Sequence, residues 1–186
     1  PGVALALQTW LGRSLPAGVV AVLGAGAAAR AAAAGALALG VERVTFLVRD
    51  RDRAEDAVGG LREAHGPSRL EVAALDGASG RASLAAAELV VQATPVGLGD
   101  PEAPPLLVPD DAPRAAGFEL NYGCAPTAFV RAWREAGRPC LDGRDLLAAQ
   151  AHRALEIQLG RAPDVRELRA LLDTVADERP DEESAP

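Results

Sequence analysis

The sequence contains no lysine and no methionine, and aromatic residues make up only 3% of its 186 residues. Together with a formal net charge of −7, this argues against nucleic acid as a partner, because phosphates are bound by basic faces and single strands stack on rings. No apolar stretch is long enough to cross a bilayer, since arginine and glycine interrupt the alanine runs. We therefore predict neither a nucleic-acid nor a membrane partner.

Cysteine and histidine, the usual zinc ligands, are also scarce. The two cysteines, Cys124 and Cys140, lack the close spacing of a zinc site, and His65 and His152 lie far apart without a nearby acidic or cysteine pattern. We predict no metal site. The cysteines are interpreted as reduced thiols of a cytoplasmic protein, with a structural disulfide as the less favoured alternative.

Short apolar runs alternate with helical segments along the chain, beginning with the strand Val19–Leu23 and the helix Ala27–Leu39. This alternation predicts an α/β fold, a Rossmann-like doubly wound parallel sheet with helices on both faces. Ligands would then bind at the carboxyl ends of the strands, where the strand order reverses. We predict further strands at Val44–Val48, Leu70–Ala73, Leu89–Ala93, Phe118–Tyr122 and Arg138–Leu141, and further helices at Val3–Leu11, Asp52–His65, Pro126–Ala136, Gly143–Leu159 and Ala162–Ala176.

One nucleotide-binding domain is expected over residues 1–176, because a chain of 186 residues suits a single core. The proline-rich stretch Asp100–Pro113 is predicted to be a loop or extended chain. Residues 177–186 are acidic and nearly free of apolar side chains, so we expect a disordered acidic tail there. The chain begins with Pro1, which is compatible with a piece of a longer protein.

The segment Val19–Arg30 reads V-V-A-V-L-G-A-G-A-A-A-R and places a Gly-x-Gly turn between a buried strand and a helix. Gly24 permits the tight turn, Gly26 lets the backbone approach a pyrophosphate, and Ala29 keeps the helix close to the strand. The helix that begins near Ala27 would direct free N–H groups at the phosphates. The alternative is an ordinary strand–helix turn.

The second strand leads into V-R-D-R-D-R at Val48–Arg53, where a fold that binds NAD usually has an acidic residue for the ribose. Arg49 and Arg53 could form a fork for the 2′-phosphate of NADP. Asp50 could repel that phosphate, or it could pair with Arg53 and hold it in place. The pattern favours NADP over NAD, with a solvated, charge-balanced helix start as the alternative.

With these residues identified, the chain resembles the C-terminal, nucleotide-binding domain of the shikimate dehydrogenase family. Five motifs support the resemblance in order: G-A-G-A-A-A-R at Gly24–Arg30, V-R-D-R-D-R at Val48–Arg53, Q-A-T-P-V-G-L at Gln92–Leu98, F-E-L-N-Y-G-C-A-P-T at Phe118–Thr127 and D-G-R-D-L-L-A-A-Q-A at Asp142–Ala151. The sequence departs from the family pattern at Ala27, Val48, Asp50, Gly123, Cys124 and Leu146.

The resemblance implies a role for each matching position. The pyrophosphate would be held by Gly24, Ala25, Gly26, Ala27 and Ala28, and the 2′-phosphate of NADP by Arg49 and Arg53. Thr94, Leu120 and Gly143 would line the dinucleotide, with Gly143 near the nicotinamide. Tyr122 and Gln150 would contact the hydroxy-acid substrate. The residues themselves leave open that Tyr122 packs its ring and that Gln150 caps a local backbone group.

The resemblance also implies an activity, the reduction of 3-dehydroshikimate to shikimate by NADPH on the chorismate route to aromatic amino acids. In the family, a Lys–Asp pair from the N-terminal substrate domain assists proton transfer, and this sequence has no lysine. We therefore expect no catalytic residue in this chain and no activity of the chain alone. The resemblance also implies a monomer or homodimer. Two alternatives stay open: a nucleotide-binding or regulatory module without catalysis, and a quinate/shikimate dehydrogenase that uses NAD.

Overall fold

The computed structural model describes residues 2–11, 18–123 and 125–177. In chain order its helices are α1 (Gly2–Leu11), α2 (Ala27–Ala38), α3 (Arg51–His65), α4 (Ala78–Ala86), α5 (Ala128–Glu135), α6 (Gly143–Leu159) and α7 (Val165–Asp177). Its strands are β1 (Val19–Leu23), β2 (Arg43–Val48), β3 (Leu70–Ala74), β4 (Ala87–Gln92), β5 (Ala116–Glu119) and β6 (Cys140–Leu141). Cys124 and residues 178–186 of the predicted tail lie outside the described residues.

The strands of the described chain form one parallel sheet in the order β3-β2-β1-β4-β5-β6. In β1, Val20 pairs with Val44 of β2 on one side and with Leu89 of β4 on the other. The chain runs outward from β1 to β3 and then returns to the centre at β4, so the strand order reverses beside β1. The predicted Rossmann-like, doubly wound sheet is confirmed.

Helices cover both faces of the sheet, as a parallel sheet requires. Val20 and Val22 of β1 belong to the core under α1, α2, α3, α6 and α7. Ala21 and Leu23 belong to the core under α4 and α5. Because alternate residues of the strand serve opposite faces, every position of β1 is buried and apolar.

Small residues let α2 lie close to the sheet and to α1. Its buried residues are Ala29, Ala32, Ala33, Gly35, Ala36 and Leu37. A Cβ at Gly35 would stand 3.0 Å from Cβ of Val3 in α1, so a larger residue would push the two helices apart. This close packing fixes the N-terminus of α2 at the carboxyl end of β1.

The helix α4 has no counterpart in the sequence prediction. It contains Gly80 and two serines, and Leu84 is its one large apolar side chain. Gly80 lies against the end of β3, because a Cβ there would stand 2.2 Å from the carbonyl oxygen of Ala74. Ser83 donates a hydrogen bond of 2.9 Å from its hydroxyl to Oγ1 of Thr45. These tertiary contacts hold a segment whose own pattern does not predict a helix.

The predicted strand Phe118–Tyr122 is wrong at both ends, since β5 runs from Ala116 to Glu119. The Glu119 side chain accepts the backbone N–H of Asn121 at 2.9 Å, so this N–H is used in a local hydrogen bond. The residues after Glu119 are therefore free to form a loop at the carboxyl edge of the sheet. The predicted loop at Asp100–Pro113 is confirmed, apart from one short 3₁₀ turn.

Two further boundaries differ from the prediction. The helix α5 begins after Thr127 rather than at Pro126, because Thr127 is its N-cap and Oγ1 accepts the N–H of Val130 at 3.4 Å. The edge strand β6 contains only two residues and does not begin at Arg138. Its partner is β5, where Gly117 lies opposite Cys140. The remaining predicted elements are present with small shifts at their ends.

Candidate functional site

A cleft of about 690 Å³ opens at the carboxyl ends of β1, β2 and β4, beside the reversal of the strand order. A doubly wound sheet binds its ligands at this place. The lining combines the glycine-rich turn after β1, charged residues after β2, and the loop after β4. Of the residues predicted to bind a cofactor, Gly24, Ala25, Gly26, Ala27, Ala28, Arg49, Arg53 and Thr94 line the cleft.

Gly24 makes the turn at the end of β1. Its φ of +93° lies in the left-handed region that favours glycine. A Cβ at this position would stand 3.3 Å from Cγ2 of Thr94 and 3.4 Å from the carbonyl oxygen of Ala93. The turn therefore contacts the loop after β4, and a larger residue at Gly24 would force the two apart.

The start of α2 presents free backbone groups to the cleft. Gly26 is the N-cap residue and has no side chain that could accept a hydrogen bond from the first N–H groups of the helix. Within the described residues, no heavy atom from another part of the chain lies within 4 Å of the position that a Cβ on Gly26 would take. This open, positively polarised helix end suits an anion such as a diphosphate.

Two exposed arginines border the cleft on the side of β2. Arg49 follows β2, and Arg53 lies in the first turn of α3. The lining also contains Arg30, whose Nη1 donates to the carbonyl oxygen of Ala57 at 3.2 Å and ties α2 to α3. Arg30 was not predicted to border the cofactor, although it closes the G-A-G-A-A-A-R motif. The three cations face one anion, Asp50, at this end of the cleft.

Asp50 is the N-cap residue of α3. Its Oδ1 accepts the backbone N–H of Arg53 at 3.1 Å. The carboxylate is therefore held at the positive end of a helix, where negative charge is stabilised. The sequence left open whether Asp50 repels the phosphate or pairs with Arg53. In the structure it contacts Arg53, but through the backbone N–H, so the guanidinium of Arg53 is not bound by Asp50.

The loop after β4 is tied to Gln92, the last residue of that strand. Thr94 donates twice to Oε1 of Gln92, from its hydroxyl at 2.9 Å and from its N–H at 3.3 Å. Gln92 is fully buried. Leu120, which was predicted to line the dinucleotide, donates its N–H to the carbonyl oxygen of Gln92 at 3.0 Å and packs against the core. Its side chain lies outside the lining of the cleft.

The residues predicted to meet the substrate do not all come together. Tyr122 is 61% exposed and shares with Gly143 a depression of about 10 Å³, which has room for about one water molecule. Gln150 is exposed on α6 and lines neither cavity. It lies beside the start of α1, where a Cβ on Gly2 would stand 2.7 Å from Cγ of Gln150.

Glu119 is a buried carboxylate that the sequence analysis did not single out. Its Oε1 accepts the N–H of Asn121 at 2.9 Å, and its Oε2 accepts the hydroxyl of Thr127 at 3.0 Å. Burial raises the pKa of Glu119 from 4.5 to about 7, against the opposing effect of these hydrogen bonds. In the sequence, the position of this acidic residue at the end of an apolar strand was the signal that could have identified it.

A network of charges holds the start of α6. Asp142 caps the helix and accepts the N–H of Arg144 at 3.0 Å. Arg169 of α7 donates to both carboxylate oxygens of Asp142, at 3.2 and 3.0 Å, and to Oδ1 of Asp145 at 3.0 Å. Gly143, the first residue of α6, has no room for a side chain, because a Cβ would stand 2.2 Å from a backbone carbonyl oxygen of the loop after β5.

Neither histidine lies in the cleft. His65 ends α3, and Nδ1 of His152 lies 2.7 Å from the carbonyl oxygen of Pro163. In the part of the chain that the structure describes, no group of three histidine, cysteine or acidic side chains could hold a metal ion. None of the helices described there is both long enough and apolar enough to cross a membrane.

No family model matches the chain. The chain is 35% identical over 153 residues to the shikimate dehydrogenase (NADP(+)) of Symbiobacterium thermophilum, in an alignment that covers 80% of this chain and 51% of that protein. It is 33% identical over 177 residues to the shikimate dehydrogenase (NADP(+)) of Caulobacter vibrioides, with 90% and 58% covered. The chain is homologous to shikimate dehydrogenases. It spans about half the length of the curated relatives that it matches.

The resemblance to shikimate dehydrogenases that the motifs predict is therefore confirmed. Among solved structures, the quinate dehydrogenase from Corynebacterium glutamicum in complex with NAD has a TM-score of 0.76 and 24% identity. That superposition covers 93% of this chain and 60% of the other, and it shows a shared fold.

Three of the departures from the shikimate dehydrogenase motifs, at Ala27, Leu146 and Gly123, lie at positions that tolerate them. Ala27 is exposed at the first position of α2. Leu146, where the family has methionine, is buried in the core, and the two side chains are similar in volume. Gly123 is exposed, and a Cβ there would have no heavy atom within 4 Å among the described residues.

Proposed function

We propose that the chain is the nucleotide-binding part of an NADP-dependent shikimate dehydrogenase, which reduces 3-dehydroshikimate to shikimate in aromatic amino-acid biosynthesis. The observation that carries the proposal is the cleft of about 690 Å³, in which the glycine-rich turn and two exposed arginines border one space. The relative from Symbiobacterium thermophilum is named as an NADP(+) enzyme, which supports the choice of cofactor.

The adenosine half of NADP is assigned to the side of β2. Arg49 and Arg53 present guanidinium groups there, and guanidinium pairs with phosphate through two parallel hydrogen bonds. The carboxylate of Asp50 accepts the N–H of Arg53 at the N-terminus of α3, and this contact leaves the guanidinium of Arg53 free for the phosphate. Arg30 adds positive charge to the same end of the cleft.

The diphosphate is assigned to Gly24–Ala28, at the N-terminus of α2. A dinucleotide that lies across the reversal of strand order places its second half over β4 and β5. Thr94 borders that side of the cleft. Gly143 and Tyr122 lie beyond it in the small depression, so we assign them to the nicotinamide and substrate end.

When bound, the dinucleotide supplies a hydride to the carbonyl carbon of the substrate. The residues of this chain bind and orient it: the turn holds the diphosphate, and the arginines hold the 2′-phosphate. Tyr122, with an exposed hydroxyl, is suited to donate a hydrogen bond to a substrate oxygen. We assign Gln150 as a second substrate contact, as the family resemblance implies.

The proton for the substrate oxygen is assigned to a group outside this chain. The sequence has no lysine, whereas the family's acid–base pair of lysine and aspartate belongs to the N-terminal substrate domain. Consistent with this, the chain spans about half the length of its relatives. We therefore infer that the chain alone binds the dinucleotide without turning over the substrate.

Arg49→Ala tests the assignment of the 2′-phosphate. The purified chain is titrated with NADPH and with NADH, and binding is followed by nucleotide fluorescence. Loss of a charge-assisted contact should weaken NADPH binding by about 1–3 kcal/mol, which is a factor of about five to 150. The affinity for NADH should stay nearly unchanged, because NADH lacks the 2′-phosphate.

Arg51→Ala is the matched control. Arg51 is an exposed arginine at the first position of α3 and lies outside the lining of the cleft. This variant loses the same charge and should bind NADPH like the wild type. Equal losses of NADPH affinity in both variants, or equal losses of NADPH and NADH affinity in Arg49→Ala, would contradict the assignment.

A further inference from the structure

Asn121 lies in the loop after β5 and borders the small depression that Tyr122 and Gly143 share. It is half-buried, and both hydrogens of its side-chain amide are used. Nδ2 donates to the carbonyl oxygen of Thr94 at 2.9 Å and to that of Val96 at 3.0 Å. These two carbonyls belong to the loop after β4, which lines the cofactor cleft through Thr94 and Pro95.

No other side chain from a different segment of the described chain hydrogen-bonds to residues 93–98. The remaining side-chain hydrogen bonds of this loop are local, between Gln92, Thr94 and Val96. Among the described residues, Asn121 is therefore the one polar side chain that joins the loop after β4 to the loop after β5. Only a side chain with two hydrogens on one atom can make both contacts from this position.

The backbone of Asn121 is itself held on two sides. Its N–H donates to Oε1 of the buried Glu119 at 2.9 Å. Its carbonyl oxygen lies against Gly143, where a Cβ would stand 2.2 Å away. Tyr122 follows directly and borders the depression next to Gly143. Asn121 thus contacts the loop after β4, the end of β5 and the start of α6.

We propose that Asn121 is a positioning residue for the nicotinamide half of the dinucleotide. Through the Thr94 and Val96 carbonyls, it holds the loop after β4 in a fixed place relative to Tyr122 and Gly143. A loop that is already ordered costs less conformational entropy when the ligand binds. This inference rests on the proposed function, because it assumes that the second half of a dinucleotide lies over β4 and β5.

Asn121→Asp tests the proposal with little change of shape. At neutral pH a carboxylate donates no hydrogen bond, and it would face two carbonyl oxygens. The chain is titrated by calorimetry with NADPH and with 2′,5′-ADP, which carries the 2′-phosphate and the adenosine but no nicotinamide. NADPH binding should weaken about tenfold or more, whereas 2′,5′-ADP binding should change by less than about twofold.

Two further variants separate positioning from general damage. Asn121→Ser keeps one hydroxyl donor without a negative charge, and its NADPH affinity should lie between those of the wild type and Asn121→Asp. Ser83→Ala removes the buried hydrogen bond to Thr45 on the other face of the sheet. It should leave both affinities unchanged, and far-UV circular dichroism checks that each variant is folded.

Unchanged NADPH affinity in Asn121→Asp would overturn the proposal. Equal weakening of NADPH and 2′,5′-ADP would also overturn it, because it would show a general structural role. If the wild-type chain binds neither ligand, the nucleotide site itself is wrong, and the positioning role falls with it. A wild type that binds both ligands, with a variant that loses only NADPH, supports both claims.

Discussion

Replacing Glu119 with glutamine should flatten the dependence of the free energy of unfolding on pH. Glu119 is fully buried at the end of β5, and burial raises its pKa from 4.5 to about 7. Between these two pH values, the folded chain keeps a proton that the unfolded chain has released. Stability is therefore highest below the unfolded pKa and falls as the pH rises toward the folded pKa.

The size of this effect follows from the difference between the two pKa values. Each pH unit of that difference is worth about 1.4 kcal/mol, so the wild type should lose about 3 kcal/mol between pH 4.5 and pH 7 because of Glu119. Glutamine keeps an acceptor for the N–H of Asn121 and can donate to the hydroxyl of Thr127, so most of the local contacts remain.

The assay is urea unfolding of the wild type and of Glu119→Gln at several pH values between about 5 and 8, followed by far-UV circular dichroism. The difference in free energy of unfolding between the two should grow in favour of the variant as the pH rises. Glu42→Gln removes the same formal charge from an exposed residue and isolates the contribution of burial. Parallel curves for the wild type and Glu119→Gln would refute the reasoning.

Two further substitutions test the packing that supports the site. Arg169→Met leaves two buried carboxylates without their main partner and should cost about 3 kcal/mol in urea unfolding, whereas Arg161→Met, at an exposed arginine, should cost little. Gly143→Ala places a Cβ 2.2 Å from a backbone carbonyl oxygen and should lower the melting temperature, with a loss of about 2 kcal/mol. Gly60→Ala, in an open position of α3, should instead stabilise by up to about 1 kcal/mol; similar melting temperatures for the two alanine variants would contradict the close approach at Gly143.

The turn after β1 and its flanking elements could be predicted from the sequence because their causes are local. Five consecutive apolar residues, a glycine that permits a positive φ, and a run of alanines lie within Val19–Ala38. Strands that are buried on both faces also appear in the sequence as apolar runs. Because these runs alternate with helical segments, a parallel sheet could be predicted. Arg49 and Arg53 were found for the same reason, since Arg49 directly follows β2 and Arg53 lies in the first turn of the helix after it, which places both at the carboxyl end of the strand.

Residues whose roles depend on distant partners could not be predicted. Asn121 contacts Thr94, which lies 27 positions away in sequence, and Gly80 in α4 is explained only by its approach to β3. Glu119 is an acidic residue that is fully buried. Acidic side chains are usually exposed, so its burial could not be predicted from its residue type. The roles of Tyr122 and Gln150 remain predictions, because the described residues leave these side chains exposed and apart.

An NMR titration of the nitrogen-15-labelled chain with NADP+ tests most directly whether the glycine-rich turn holds the diphosphate of a dinucleotide. Saturable shifts of the backbone amide signals of Gly24–Ala28 are predicted, together with shifts at Arg49, Arg53 and Thr94. Amide signals of the turn that stay in place throughout the titration, while other parts of the chain respond or nothing responds, would contradict the assignment.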